Sequence, residues 1–267
     1  MLSETKLGVR RFGRVNWLGV YTLSQREILR FWTVWTQTLL APLVTAALFL
    51  MIFNIAIGPR RGDVLGVPFV EFLAPGLMMM AVIQNAFANT SSSIVISKVQ
   101  GNIVDTLMPP LSALEMVCGY LAGGIARGFL VAAGIWLGLF LVLGIGMAHP
   151  LYFIAFVFLG AAFLGGLGII AGIYANKFDQ MAAITNFIIT PLAFLSGSFY
   201  SINALPEILR QITLFNPIFY LIDGVRFSVI GTSDSNAAFG LVIGVVSVLA
   251  VNFLAWAFLK TGNRLKP

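Results

Sequence analysis

Few side chains in this sequence have the types and spacing that catalysis requires. His149 is the single histidine and Cys118 the single cysteine, so they cannot form the multi-ligand sets that hold metals. Ser196 and Ser198 flank a glycine in a way that superficially suggests a membrane serine protease, yet His149, the one available base, lies in a different loop. The chain also lacks a Gly-x-x-x-x-Gly-Lys-Ser/Thr loop. We therefore expect no catalytic site, metal or cofactor in this chain.

Uncharged polar side chains recur within three long apolar stretches, and they suit hydrogen bonding rather than catalysis. Polar groups that face lipid are costly, so these side chains are expected to face other helices or a cavity. Hydrogen bonding between helices and lining of a transport pathway are the two interpretations. Proline occurs in or beside the same stretches, at Pro42, Pro75 and Pro191, and should loosen their backbones. The candidate pathway residues are Thr45, Gln84, Asn85, Asn89, Thr185 and Asn186.

Arg127 is a charge within the third apolar stretch, about a third of the way along it. An ionisable residue inside a membrane span is a functional candidate by default. Alternatively, its long side chain reaches back to the inner headgroups and only anchors the helix. The sequence leaves both interpretations open.

The spacing of the charges predicts the elements that position these residues. Hydrophobic residues make up 59% of the 267 residues and charged residues only 10%, which excludes an ordinary soluble domain. Five uncharged gaps are long enough for a membrane crossing of about 20 residues, and one of them is long enough for two. The six predicted spans are Thr36–Ile57, Phe72–Ile96, Met116–Leu143, Leu151–Ala175, Met181–Tyr200 and Ala238–Leu259.

The positive charges predict the orientation of these six spans. With both termini cytoplasmic, twelve of the sixteen Lys and Arg residues lie inside, and only Arg60, Arg61, Arg210 and Arg226 lie outside. The net charge of +6 is thereby explained by topology, and no nucleic-acid partner is needed.

Three segments outside the spans have features of their own. Residues 1–35 read as a basic cytoplasmic N-terminus followed by an amphipathic interfacial helix over Trp17–Trp35, although an extension of the first span is the alternative. Between spans two and three, at about 97–108, Val99, Ile103 and Leu107 share one helical face. Residues 201–234 suit two short helices, Leu205–Thr213 and Pro217–Ile230, either re-entrant in the outer leaflet or lying on its surface.

In the second of these helices, Asn216 and Pro217 are a start signal, and Asp223 and Arg226 are spaced to pair. Residues 36–260 thus form one membrane domain, followed by a cytoplasmic tail, 261–267.

Taken in order, these motifs resemble the type-2 ABC transporter permease family, and within it the bacterial YadH-like exporter permeases. The resemblance covers nearly the whole chain. Its individual motifs are loose, but their order and spacing are specific. The matching stretches are Phe72-x-x-Pro75-Gly76-Leu77, Lys98-x-Gln100-x-Asn102-Ile103, Pro109-Pro110, Pro191-Leu-x-x-Leu195-Ser-Gly197, Leu205-Pro206, Asn216-Pro217-x-x-Tyr220, Arg226 and Gly231.

The resemblance implies a homodimer in the bacterial inner membrane, bound to two copies of a separate ATP-binding cassette ATPase that holds ATP and Mg. Alternating access would carry a cargo outward along a route lined mainly by spans one, two and five, and the cargoes of the family include drugs, lipids, glycolipids and polysaccharides. The short N-terminus, the lack of large loops and the strongly apolar spans favour an amphiphilic, lipid-like, drug or glycolipid cargo over a long polar glycan. The segment that would couple to the ATPase contains Lys98, Val99, Gln100, Asn102, Ile103, Asp105 and Leu107. The external gate would contain Leu205, Pro206, Asn216, Pro217, Tyr220, Asp223 and Arg226.

Two other classes of membrane protein remain as alternatives. A polytopic membrane enzyme should carry a cluster of ionisable residues at one depth. A secondary transporter should place ionisable groups for ion coupling within its spans, where only Arg127 qualifies.

Overall fold

The part of the chain that the computed structural model describes, residues 13, 15–56 and 62–262, is mostly helical and contains no strand. Most of the basic N-terminus, the tail residues 263–267, and Arg60 and Arg61 lie outside the described residues. Ten helices follow one another: α1 Trp17–Thr33, α2 Thr36–Ala56, α3 Phe69–Val99, α4 Ile103–Leu107, α5 Ala113–Leu143, α6 Pro150–Tyr174, α7 over residues 178–194, α8 Glu207–Phe215, α9 Pro217–Ile230 and α10 Ala237–Thr261.

Five of these helices, α2, α3, α5, α6 and α10, are long and apolar enough to cross a membrane. The pair α8 and α9 meets the same condition only when taken together, and it is bent by 88° at Asn216. Helix α7 consists of three consecutive segments of 7, 5 and 5 residues. The total length of the three segments is at the lower limit of the lengths that cross a bilayer. The predicted all-α membrane fold, with a helical hairpin before the last span, is confirmed.

Helices α3 and α6 form the centre of the molecule. Of their most apolar windows, 67% and 72% are buried inside the chain, against 11% for α2 and 17% for α10. Glycines let the two central helices approach closely: a Cβ atom on Gly168 would lie 2.1 Å from Thr90 Oγ1 and 2.6 Å from the Phe87 carbonyl oxygen. Thr90 Oγ1 donates a hydrogen bond of 2.8 Å to the Gly165 carbonyl. The outer helices therefore present apolar faces to lipid or to other proteins.

Helix α1 packs against the first half of α5 at two glycines of α5, Gly119 and Gly123. A Cβ atom on Gly119 would lie 2.5 Å from Leu23, and one on Gly123 would lie 2.4 Å from Glu27. Because the contacts advance together along both chains, α1 runs beside α5 in the same direction. It ends at Thr33, two residues earlier than predicted.

Most apolar residues of α1 are exposed, although Leu23 and Phe31 are buried. Trp17 is 74% exposed, and Tyr21 and Trp32 are also exposed, which suits a helix whose aromatic residues lie at a membrane interface. Its interfacial position stays a prediction.

Candidate functional site

A cleft of about 240 Å³ lies between α2, α3 and α7, the helices predicted to line the pathway. It brings together two of the six candidate pathway residues, Thr45 and Gln84, and adds a third polar side chain, Gln37. Its remaining walls are apolar and include Met80, Phe49, Phe194 and Phe199. A larger groove of about 490 Å³ between α2 and α5 has a single polar side chain, Asn54, in its lining. The smaller cleft is therefore the better candidate for a substrate with polar groups.

Two helices that border this cleft contain a π turn just before a proline. In α2 the turn covers Thr36–Leu40 and precedes Pro42, and in α7 it covers Thr185–Ile189 and precedes Pro191. Proline has no N–H to donate to the carbonyl four residues earlier, and its ring clashes with that carbonyl in a regular α-helix. A π turn just before the proline is wider than an α-helical turn and relieves this clash.

The two π turns share the sequence pattern Thr–amide–x–aliphatic–aliphatic–x–Pro, which is the signal that sequence reasoning missed. The amides, Gln37 and Asn186, are exposed in both. Thr185 is half-buried and donates to the Met181 carbonyl at 2.9 Å. The π turns thus present one side-chain amide each on the surfaces of α2 and α7.

The other two candidate pathway residues, Asn85 and Asn89, bind arginines from neighbouring helices. Asn85 Oδ1 accepts hydrogen bonds from Arg127 Nε at 3.1 Å and Nη2 at 2.8 Å. Asn89 is buried, and its Oδ1 accepts from Arg30 Nη2 at 3.1 Å. For these two residues the structure favours bonding between helices over lining of the cleft. Among the described residues, Asn89 Nδ2 has no hydrogen-bond partner.

A buried carboxylate joins α1 to the inner end of α3. Glu27 is fully buried and accepts from Arg26 at 3.0 Å, from Arg30 at 3.1 Å and from Ser93 Oγ at 2.7 Å. Arg26 also donates to Thr106 Oγ1 in α4 at 2.9 Å. The charged residues of α1 are Arg26, Glu27 and Arg30. In the structure they bind it to α3 and to the segment before α5.

The segment between α3 and α5 differs from the predicted single helix over Lys98–Leu107. Helix α3 ends at Val99, Gly101 has a φ of +74°, and α4 begins only at Ile103. A φ in this range favours glycine, so the chain turns there. Ile103 and Leu107 lie one turn apart in α4, but Val99 belongs to α3, so the prediction that Val99 shares their helical face is wrong.

Within this segment, Ile103 points into the protein and is only 6% exposed, packed with Leu23 and Met116. Leu107 is half-buried. Lys98 Nζ donates to the carbonyls of Ile173 and Ala175 at 2.8 Å each, at the carboxyl end of α6. The exposed side chains of the segment are Val99, Gln100, Asn102, Val104, Asp105 and Met108. Any partner bound here would contact these residues.

At the opposite end of the bundle, a buried arginine joins four segments, and we call this group the outer clasp. Arg226 in α9 is fully buried and donates to Asp223 Oδ1 at 3.2 Å and to the Gly197 carbonyl at 2.7 Å. Its guanidinium lies 3.9 Å from the centre of the Phe72 ring and 3.7 Å from Asp234 Oδ2. The predicted pairing of Asp223 with Arg226 is confirmed.

The acidic residues of the outer clasp hold the 232–236 loop. Asp223 accepts from the backbone N–H of Asp234 at 2.9 Å and from that of Ser235 at 2.8 Å. Asp234 in turn accepts from Ser201 Oγ and from the Ile202 N–H. Burial raises the pKa of the Asp234 carboxyl above its ordinary value. The clasp therefore fixes the turn after α7, the start of α3 and the start of α10 to α9.

The remaining predicted gate residues divide between a buried and an exposed helix. Asn216 caps α9 by accepting from the Ile218 N–H at 3.1 Å, and Pro217 is its first residue, as predicted. Tyr220 is buried and donates to the Leu214 carbonyl at 3.1 Å. Helix α8 begins at Glu207, after Leu205 and Pro206, and is mostly exposed. Of the two helices of the hairpin, α9 is thus largely buried and α8 mostly exposed.

Comparison with known proteins agrees with this architecture. Residues 19–230 match the model of the ABC-2 type transporter family. The chain is 35% identical over 252 residues to the inner membrane transport permease YadH of Escherichia coli K12, covering 94% of this chain and 98% of that protein. It is 26% identical to nodulation protein J of Rhizobium leguminosarum bv. viciae, over 90% and 91% of the two chains. It is 25% identical to nodulation protein J of Rhizobium meliloti, over 94% and 95%.

The predicted location, a multi-pass protein of the bacterial inner membrane, fits both the apolar helices and the first of these relatives. The family match covers most of the chain and extends from α1 to the end of α9. The resemblance inferred from the motifs is therefore confirmed, and the chain belongs to the ABC-2 type transporter family as the membrane subunit of an ABC transporter.

Proposed function

We propose that this chain is an export permease that moves an amphiphilic, lipid-like, drug or glycolipid cargo outward by alternating access. The observation that carries the cargo class is the mixed lining of the cleft between α2, α3 and α7. Gln37, Thr45 and Gln84 offer uncharged hydrogen-bonding groups, while phenylalanines form the other wall. None of the described residues that line this cleft is charged. Such a lining suits a molecule with a neutral polar part and an apolar part.

The proposal includes a homodimer of this chain with two copies of a separate ATPase subunit, which would hold ATP and Mg. The apolar exposed faces of α2 and α7 support a protein contact in the membrane, since each carries an exposed amide among apolar side chains. The exposed face of residues 99–108 supports the contact with the ATPase. It presents Val104 and Met108, 45% and 77% exposed, beside Asp105.

The ATPase contact is tested with two adjacent residues that have opposite orientations. Val104→Asp changes the exposed face, so the permease should fold normally but recover less ATPase in a pull-down and show less cargo-stimulated hydrolysis. Ile103→Asp instead buries a carboxylate without a partner inside this chain, which should destabilise the permease itself. Both variants are co-expressed with the partner ATPase, and thermal unfolding reports on folding.

Normal ATPase recovery and normal stimulation with Val104→Asp would exclude this segment as the contact. A second test concerns the proposal that ATP is hydrolysed by the separate subunit and not by this chain. The purified permease alone should hydrolyse no ATP, and turnover that survives removal of contaminating ATPases would refute it.

A further inference from the structure

The side chain of Arg127 is held in place by a neutral group. Asn85 Nδ2 donates to the Ala81 carbonyl of its own helix at 2.9 Å, which points Oδ1 toward Arg127. Within residues 15–56 and 62–262, Arg127 forms no ion pair with a carboxylate, although it is half-buried in α5. A charge in this position is costly unless an anion compensates it.

A second arginine lies one helical turn away on the same face of α3. Arg30 of α1 binds the carbonyl of Asn89 at 2.6 Å and Ser92 Oγ at 3.1 Å, while Arg127 of α5 binds Asn85. Residues four apart on a helix are separated by about 6 Å along its axis. Because Asn85 and Asn89 lie four residues apart in α3, the two guanidinium groups lie against successive turns of the same helix.

The charges in this group do not balance. Arg26 and Arg30 share the single carboxylate of Glu27, and Arg127 adds a further positive charge, which leaves a net charge of +2 among these four side chains. The Arg30 side chain is 28% exposed, so the group is accessible from outside the protein. An anion that binds here would compensate a charge that the described residues leave unpaired.

We propose that Arg30 and Arg127 bind the phosphate group of an anionic lipid at the inner leaflet. Arg30 lies six positions before α2 begins at Thr36, at the inner end of the first span, where lipid phosphates are present. Guanidinium groups bind phosphate oxygens through paired, charge-assisted hydrogen bonds. The exposed Trp32 and Trp35 nearby suit the same interfacial depth. The inference does not depend on export or on the identity of the cargo.

Native mass spectrometry of the full chain in detergent, titrated with phosphatidylglycerol or phosphatidylcholine, tests this site. The wild-type protein should bind phosphatidylglycerol at least about fivefold more tightly, the effect expected of one compensated charge. Arg127→Gln should remove most of this preference, and Arg127→Lys should retain part of it. Arg210→Gln, on exposed α8, is the matched control and should leave the preference unchanged.

Asn85→Asp is the decisive variant, because it supplies the missing carboxylate at the same place and keeps Arg127. We expect it to abolish the preference for phosphatidylglycerol without lowering the thermal unfolding temperature. An undiminished preference in Asn85→Asp, or in a folded Arg127→Gln protein, overturns the proposal. Displacement of the lipid by millimolar inorganic phosphate overturns the lipid as the source of the bound phosphate.

Discussion

The outer clasp should be a major contributor to the stability of its end of the helix bundle, and Arg226→Leu measures that contribution. The change removes the ion pair with Asp223, the hydrogen bond to the Gly197 carbonyl and the contact with the Phe72 ring. Breaking a buried ion pair costs about 3–5 kcal/mol, because the remaining charge stays buried without its partner. Asp223 keeps three hydrogen bonds from residues 234 and 235, so we expect the lower end of that range, about 3 kcal/mol.

The assay is the free energy of unfolding in mixed micelles with a denaturing detergent. A double-mutant cycle with Asp223→Asn separates the pair from the rest of the clasp, because the second change removes the buried charge that the first leaves behind. We expect the double variant to be more stable than the sum of the single losses predicts. Arg210→Leu, on exposed α8, should unfold like the wild-type protein. A loss below about 1 kcal/mol for Arg226→Leu, or strict additivity with Asp223→Asn, would refute the reasoning.

Two further predictions follow from the packing and the topology. Gly123→Ala places a Cβ atom 2.4 Å from Glu27, so it should lower the free energy of unfolding by about 1–3 kcal/mol. Gly138→Ala is the control, because a Cβ atom there would have no atom within 4 Å, and it should leave the free energy of unfolding unchanged. Equal effects of the two changes in the same assay would contradict the docking of α1 on α5. In a Cys118→Ser background, cysteine at Asp63 should react with an impermeant thiol reagent from outside only and cysteine at Asp105 from inside only. Labelling of both from one side would overturn the orientation. Asp63 is chosen because it is exposed, whereas Asp234 belongs to the buried clasp.

Elements governed by local patterns were predictable from the sequence. Uncharged runs located the long helices to within a few residues, because a membrane span needs a continuous apolar stretch. The start of α9 was also predictable, since Asn216 and Pro217 act through their own backbone geometry. The orientation is predicted from the positive charges alone and stays a prediction.

Features that depend on contacts between distant residues were not predictable. The predicted fifth span continued to Tyr200, but α7 ends at Phe194, and the following turn places the Gly197 carbonyl against Arg226. The segment after α3 was predicted as one helix because its apolar residues have helical spacing. The left-handed backbone at Gly101 interrupts it and turns Ile103 inward. The burial of Glu27 was not predictable from the sequence, because it depends on the contact with Gly123 of a distant helix.

The paired π turns have a consequence for how such permeases diverge. A π turn contains one residue more than the regular helix it interrupts, so each turn is equivalent to a single-residue insertion in α2 or α7. One residue of an α-helix corresponds to a rotation of about 100°. Deleting one residue from Thr36–Leu40 or Thr185–Ile189 would therefore rotate one part of the helix against the other and present different side chains to the cleft. Single-residue insertions and deletions at these two places are a route by which a lineage can exchange the lining of the cleft while the packed centre of α3 and α6 stays unchanged.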